Sequence, residues 1–310
     1  MTYEAYDDRH QLASAGVVVG VDGSLGSQLA LRWAASYSAQ RRRELQIVHA
    51  LDLGGVSSSG SPSGVVPSSV VDAVRARGQQ LVREAEEMAL RIEPGLRTAT
   101  RLSVTNASRL LVELSAAAYA VVLGATGNAG TFVHLGSTLF AVTSHAHSPV
   151  IVVRPDPDAH DTLRETGPVV VGVDGSPVSE AAIATAFAEA AERHADLVAV
   201  HVWSDWDFGE YLGDRAPADL VEVDGLEAAL LTERLAGFQE KYPDVQVTRR
   251  IYVSAPAEKL QGWSKHAQLV VVGNRGRGGF TGMLLGSTTH TLVQHAHCPI
   301  MVVHPAERAE

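Results

Sequence analysis

The octapeptide VVVGVDGS occurs twice without change, at residues 17–24 and 169–176, an offset of 152. Val48-His49 returns as Val200-His201 at that offset, and VVLG ending at Gly124 returns as VVVG ending at Gly273, 149 residues on. HAHSPVIVV (145–153) returns as HAHCPIMVV (295–303), 150 residues on. Four matches in one order make the chain a duplication of a unit of about 140 residues, an ordinary size for one domain. Whatever the fold is, it must close twice. The stretch between the copies, RPDPDAHDTLRETGP, has three prolines and mixed charge and reads as a linker. The expected division is a first domain over 1–154, a linker over 155–168 and a second domain over 169–310.

Within a copy, strands alternate with helices. Residues 17–21 form a continuous apolar run, the mark of a strand buried on both faces. Residues 27–43 carry apolar side chains at helical spacing. Then come a strand at 45–50, a Gly/Ser/Pro loop at 54–69, a helix at 70–92 ended by Pro94-Gly95, and a strand at 102–104. A helix N-capped by Asn106 follows, then strands at 120–123 and 150–153 around a helix from Gly136. The second copy repeats this with strands at 169–173, 197–203, 247–253, 269–272 and 300–303. Its expected helices are 180–194, 225–242 and 257–266, with a long acidic connection at 204–224. This order predicts an α/β protein of two tandem, doubly wound parallel-sheet (Rossmann-like) domains. Ligands of such sheets bind beyond the carboxyl ends of the strands, where the strand order reverses.

Both VDGS and a glycine-rich loop fall at that edge. In the second copy the loop is GNRGRGGFTGMLLGST, from Gly273 to Thr288. Glycines at 273, 276, 278, 279, 282 and 286 let successive N–H groups face one concavity, and a helix N-terminus follows directly. That combination suits a phosphate. Arg275 and Arg277 add positive charge, and the hydroxyls of Ser287 and Thr288 face a phosphate oxygen or a metal-bound water. The spacing is neither a Walker A loop, since no Gly-Lys-Ser/Thr follows, nor the dinucleotide fingerprint, since Gly276-x-Gly278 lacks the third glycine. A strand, a glycine loop and a helix also make a plain connector, so the loop alone does not decide.

Charge and composition narrow the classes. A net charge of −10 argues against general binding of nucleic acid. Three of the 25 basic residues are lysine, at 241, 259 and 265. The single cysteine, Cys298, excludes an internal disulfide and fits a reducing compartment. The acidic N-terminal residues show no signal peptide and no run approaches membrane-spanning length, so a cytoplasmic location without membrane insertion is expected.

With VDGS after the first strand of each copy and the pattern G-x2-G-x9-G-[ST] at Gly273, Gly276, Gly286 and Ser287, the chain resembles the universal stress protein family in tandem form, over nearly its whole length. The resemblance implies an adenine-nucleotide alpha hydrolase-like fold. In the ATP-binding branch it implies ATP, with or without Mg2+, its phosphates held by Gly273, Asn274, Arg275, Gly276, Arg277, Gly278, Gly279, Gly286, Ser287 and Thr288. It places Asp174 against the nucleoside, with Gly172 beside it, and Asp205, just past the second strand, near the ribose. The matching positions of the first copy are Gly20, Asp22, Gly124, Gly127, Gly130, Gly136 and Ser137. There only eight residues separate Gly127 from Gly136, and Asn128 and Ala129 stand where the second copy has Arg277 and Gly278. A weaker or lost site is expected in that half. The family also pairs its last strands across a two-fold axis, which implies pairing of the two domains within the chain and leaves a homodimer open. A stress-response regulator whose nucleotide state biases growth or partner binding is the implied role.

Other residues are weighed against plain structural duties. Asp22 and Asp174 are alternatively turn or helix caps. His145, His147, His295 and His297 sit i, i+2 at helix ends, where they satisfy carbonyls and the helix dipole better than a metal. His49 and His201 read as satisfied strand-end histidines, Cys298 as an inert small residue. Trp203 and Trp206 either stack on a base or pack the acidic connection. No base or metal-carboxylate set surrounds the glycine loop, so a binding protein is expected and not an enzyme. A slow ATPase and a nucleotide-free interaction scaffold are the alternatives.

Overall fold

The computed structural model describes residues 14–51, 68–126, 136–157, 162–203, 218–277 and 284–305, with the side chains of 218–224 and 226 outside that description. The chain falls into two compact units, Met1–Val153 and Arg154–Glu310. The first contains β1 (Val17–Gly20), α1 (Leu25–Gln40), β2 (Leu45–Ala50), α2 (Ser68–Ile92), β3 (Thr98–Ser103), α3 (Ala107–Ser115), β4 (Ala120–Gly124), α4 (Ser137–His145) and β5 (Val150–Val153). The second contains β6 (Val169–Val173), α5 (Pro177–Glu192), β7 (Leu197–Val202), α6 (Ala218–Lys241), β8 (Val247–Tyr252), α7 (Pro256–Ser264), β9 (Leu269–Gly273), α8 (Ser287–His295) and β10 (Ile300–Val303).

Among the described residues each unit carries five strands, in the order β3-β2-β1-β4-β5 in the first and β8-β7-β6-β9-β10 in the second. All neighbours pair in parallel, Val17 against Leu45 and Ala120 in the first unit and Val169 against Leu197 and Leu269 in the second. The order reverses between β1 and β4, and between β6 and β9. This is the doubly wound sheet expected from the alternation, and each reversal leaves a crevice beyond the strand ends. The central strands are continuous valine runs because both faces are covered: Val169, Val170, Val171, Val270 and Val271 have no exposed surface. In the second unit α5 packs on β6, β9 and α6, while α7 packs on α8. Phe187 of α5 stacks on Phe238 and Tyr242 at 5.6 and 6.0 Å, which fixes the end of α6.

The elements differ from the expected bounds where propensity misleads. β3 begins at Thr98 rather than 102, because an edge strand reading TATRLS is half exposed and lacks an apolar run. α6 begins at Ala218, and Gly225 lies inside it: tertiary packing outweighs the roughly 1 kcal/mol that an internal glycine costs. α5 starts at Pro177 rather than 180, since Ser176 caps it and proline is at home at the first helical position.

The stretch between the copies fastens onto the second unit. Arg154, whose burial lowers its pKa from the ordinary guanidinium value, donates to the carbonyls of Val293 and Ala296 and so caps the end of α8. Asp156 is buried, pairs with Arg164, and bridges to Thr162. No helix among the described residues is long and apolar enough to cross a membrane.

Candidate functional site

The chemistry converges at the β6/β9 crevice. A cavity of about 260 Å3 opens there, its lining including the apolar Val173, Val200, Val202, Leu260 and Val272 and the polar Asp174, Arg275, Arg277, Ser287 and Thr288. Gly172, Gly273, Gly276 and Gly286 line it as well. The lining therefore combines apolar side chains with hydrogen-bond donors.

Helix α8 supplies the donors. Its N-cap is Gly286, in extended geometry, and no side chain caps the helix. Compare α5, whose first turn is capped by Ser176, or α3, where Asn106 accepts from Ser108 and Arg109 as its sequence led one to expect. A side-chain cap would occupy the free N–H groups of the first turn; a glycine leaves them facing the cavity. Thr289 donates its hydroxyl to the Gly273 carbonyl at 2.7 Å, and Gly286 donates to the Asn274 carbonyl at 2.8 Å. These two bonds tie the helix start to the strand end. Asn274 is buried and its N–H donates to Val303, so it shapes the loop and does not line the cavity.

Asp174 is the one carboxylate among the described residues of the cavity wall. Its Oδ1 accepts from the Ser176 N–H at 2.9 Å and its Oδ2 from the Arg277 N–H at 2.7 Å. The first bond is the turn cap that an Asp at a strand end can make. The second spans 103 residues and pins the glycine loop to the VDGS turn. A Cβ on Gly276 would stand 2.5 Å from Asp174 Oδ2, so this glycine is required by the approach of the carboxylate. Gly273 is needed for a similar reason, its Cβ position being 2.7 Å from Val178 Cγ1. Arg275 and Arg277 are exposed at the mouth, Arg275 donating to the Leu284 carbonyl at 3.3 Å.

Nine of the expected residues meet at this cavity: Gly172, Asp174, Gly273, Arg275, Gly276, Arg277, Gly286, Ser287 and Thr288. Asp205, Gly278 and Gly279 lie outside the described residues, as do Trp206 and, in the first unit, Gly127 and Gly130. Sequence reasoning missed Ser179, whose hydroxyl accepts from the Asp174 N–H at 3.2 Å, and the apolar lining residues Pro256 and Leu260. Ser179 was within reach, three residues after a Ser N-cap. The other two were not, because an apolar residue on a helix gives no sign of which neighbour it faces. Trp203 is part exposed and does not line the cavity.

In the first unit Gly20, Asp22, Gly124, Gly136 and Ser137 occupy the matching places, and Gly136 is again a glycine N-cap without a side-chain cap. Asp22 Oδ1 accepts from both the N–H and the hydroxyl of Ser24, at 3.0 and 2.6 Å. The strand-end histidines are satisfied as expected: His49 Nδ1 lies 2.7 Å from the Val21 carbonyl and His201 Nδ1 2.7 Å from that of Val173. His145 Nδ1 meets the Ala141 carbonyl at 3.0 Å, the helix-end duty predicted for it. Cys298 is fully buried, and burial pushes its thiol far above the ordinary range, which leaves it protonated and unreactive.

The universal stress protein family model matches residues 16–154 and again 165–304. The chain belongs to the universal stress protein family. It carries two tandem copies of the family's domain. A universal stress protein of Mycolicibacterium smegmatis is 40% identical over 297 residues, covering 94% of this chain and 97% of that one. A universal stress protein of Mycobacterium tuberculosis strain H37Rv is 39% identical over 297 residues, covering 94% and 96%. The crystal structure of a universal stress protein from Archaeoglobus fulgidus superposes with a TM-score of 0.65 at 17% identity, covering 96% of this chain and 98% of that one, which supports the fold.

Proposed function

We propose that the second unit is a receptor for an adenine nucleotide, ATP above all, and that the protein acts by binding rather than by turnover. The observation that carries this reading is the first turn of α8: nine residues of helix begin at a glycine with no side-chain cap, beside a glycine loop with two arginines, and open on a cavity whose lining also holds apolar side chains. The free N–H groups and the helix dipole suit phosphates. The apolar lining residues Val200, Val202 and Leu260 suit the flat face of a base. A volume near 260 Å3 lies just below the range of about 300–1,000 Å3 typical of ligand sites, so a mononucleotide suits it better than a dinucleotide. Where Mg2+ accompanies the phosphates, Ser287, Thr288 and Asp174 are residues of the lining that offer it oxygen. Both Asp174 oxygens already accept backbone N–H groups, which favours a positioning role over that of a general base. The nucleotide state of this unit then biases partner binding or growth in a stress response. Titration calorimetry with ATP, AMP, cyclic AMP and adenosine, joined to mass analysis of any co-purified nucleotide, tests the reading. Micromolar or tighter binding of ATP with adenosine at least about tenfold weaker is expected, roughly 1.4 kcal/mol. No binding, or equal binding of adenosine, would contradict a phosphate site.

A further inference from the structure

The two carbonyls flanking Asp174 are each held by a cationic or donor side chain that is itself held by a glutamate. On one flank the Val173 carbonyl accepts from His201 Nδ1 at 2.7 Å, and His201 Nε2 lies 2.9 Å from Glu227 Oε2. His201 is buried, so the ring is fixed between these partners. On the other flank the Gly175 carbonyl accepts from Arg234 Nη1 at 3.4 Å, and the same nitrogen donates to Glu180 Oε1 at 2.7 Å. The guanidinium lies flat against the turn, for a Cβ on Gly175 would stand 2.9 Å from Arg234 Nη2. Gly175 has φ +79°, a left-handed geometry that favours glycine at this turn. Glu227 and Arg234 are seven residues apart, two turns along α6, and so reach the sheet edge from one helix face.

The first unit has half of this arrangement. His49 holds the Val21 carbonyl as His201 holds that of Val173. At the corresponding glycine turn, however, an apolar side chain takes the arginine's place: the Cβ position of Gly23, φ +83°, is 3.2 Å from Leu81 Cδ1. A leucine fills the space but holds no carbonyl.

We infer that α6 is a clamp on the Asp174 turn and that Arg234 is a positioning residue: by fixing Gly175 it holds the Asp174 carboxylate on the Arg277 N–H, and so sets the glycine loop for its anion. The inference rests on the nucleotide reading only for its last step. The ligand-free geometry stands without it. An exposed ion pair adds little stability, because water competes for both charges. Arg234 and Glu180 are 35% and 45% exposed, so changing them loosens the turn without unfolding the unit.

The test is backbone hydrogen exchange on the full chain without ligand, for the parent, Arg234→Leu, Arg234→Lys and Glu180→Gln. The Ser176 and Arg277 amides, both donors to Asp174, are read against the Leu235 amide within α6. Arg234→Leu and Glu180→Gln should speed the first two about tenfold, roughly 1.4 kcal/mol of local opening, with Leu235 unchanged and Arg234→Lys close to the parent. ATP titration of the same variants should show a matching loss, recovered by the lysine. Unchanged Ser176 and Arg277 amides overturn the clamp. Equal acceleration at Leu235 assigns Arg234 a merely structural role and overturns it as well, as does faster exchange with undiminished ATP affinity. If the parent binds no ATP, the nucleotide reading fails while the exchange rates still decide the clamp.

Discussion

The two copies share a strand, a turn and a glycine loop, yet the loops leave their strands differently. In the first unit Gly26 sits in the opening turn of α1, and a Cβ there would overlap the Thr126 carbonyl oxygen; Gly124 likewise lies against the backbone of Gly26. The loop rests directly on the helix, and the Ser24 hydroxyl reaches the Thr126 carbonyl at 3.3 Å. In the second unit the residue 152 positions on from Gly26 is Val178. Its side chain stands between β9 and α5, 2.7 Å from the Cβ position of Gly273, and the loop instead meets the turn through Asp174 and the Arg277 N–H. One missing methyl-bearing side chain lets a loop settle onto the helix. One present keeps the strand end and the helix apart, and beside them lies the cavity. One motif thus rests on two different backbone packings, set by the residue beneath it.

The largest effect is expected from Gly276→Val. Its first carbon would collide with Asp174 Oδ2, so ATP affinity in the second unit should fall about 100-fold or more, roughly 2.8 kcal/mol, with the circular dichroism spectrum and melting temperature nearly unchanged. Retained affinity would mean that the loop and Asp174 move apart freely. Next, Gly26→Val should destabilise the first unit by about 1–3 kcal/mol, since a side chain is forced into backbone. Urea unfolding of the full chain reads this as an earlier transition. A neutral outcome would show that the contact of loop and helix is dispensable. Replacing both Arg275 and Arg277 by alanine should weaken ATP about tenfold and adenosine hardly at all, because exposed guanidinium groups act on the phosphates and are screened by solvent. Equal losses would place the arginines elsewhere.

The smallest effect concerns Cys298, whose counterpart 150 positions earlier is Ser148. Burial raises the folded thiol well above its ordinary value of 9.0. The unfolded chain therefore releases a proton above pH 9 that the folded chain keeps. Stability is level below that pH and falls above it, by at most about 1.4 kcal/mol per pH unit. Chemical denaturation from pH 8 to 10.5 should show this slope in the parent and lose it in Cys298→Ala. An identical slope in both would assign the alkaline loss to other groups.

Much of this architecture was legible before any coordinates. Continuous valine runs at fixed offsets define buried parallel strands, and the duplication requires two such sheets. The glycines of the second loop announce close approach, and seven of the residues singled out there line one cavity together with Gly172 and Asp174. What stayed hidden was set by tertiary packing. The edge strand β3 has no apolar run to betray it, and α6 runs through Gly225 because its packing does not depend on that residue. The same holds at the site. Nothing in the sequence tells that Asp174 spends its second oxygen on Arg277, or that Val178 and Gly26 make the two loops part company, since both depend on distances between residues far apart in the chain.

The most direct test is calorimetric titration of the full chain with ATP, beside the Gly276→Val variant. A single tight site per chain, or two sites of clearly different affinity, is expected, with the tighter one lost in the variant. Two equal sites in the parent, or a tight site that survives Gly276→Val, would contradict the assignment of the nucleotide to the second unit.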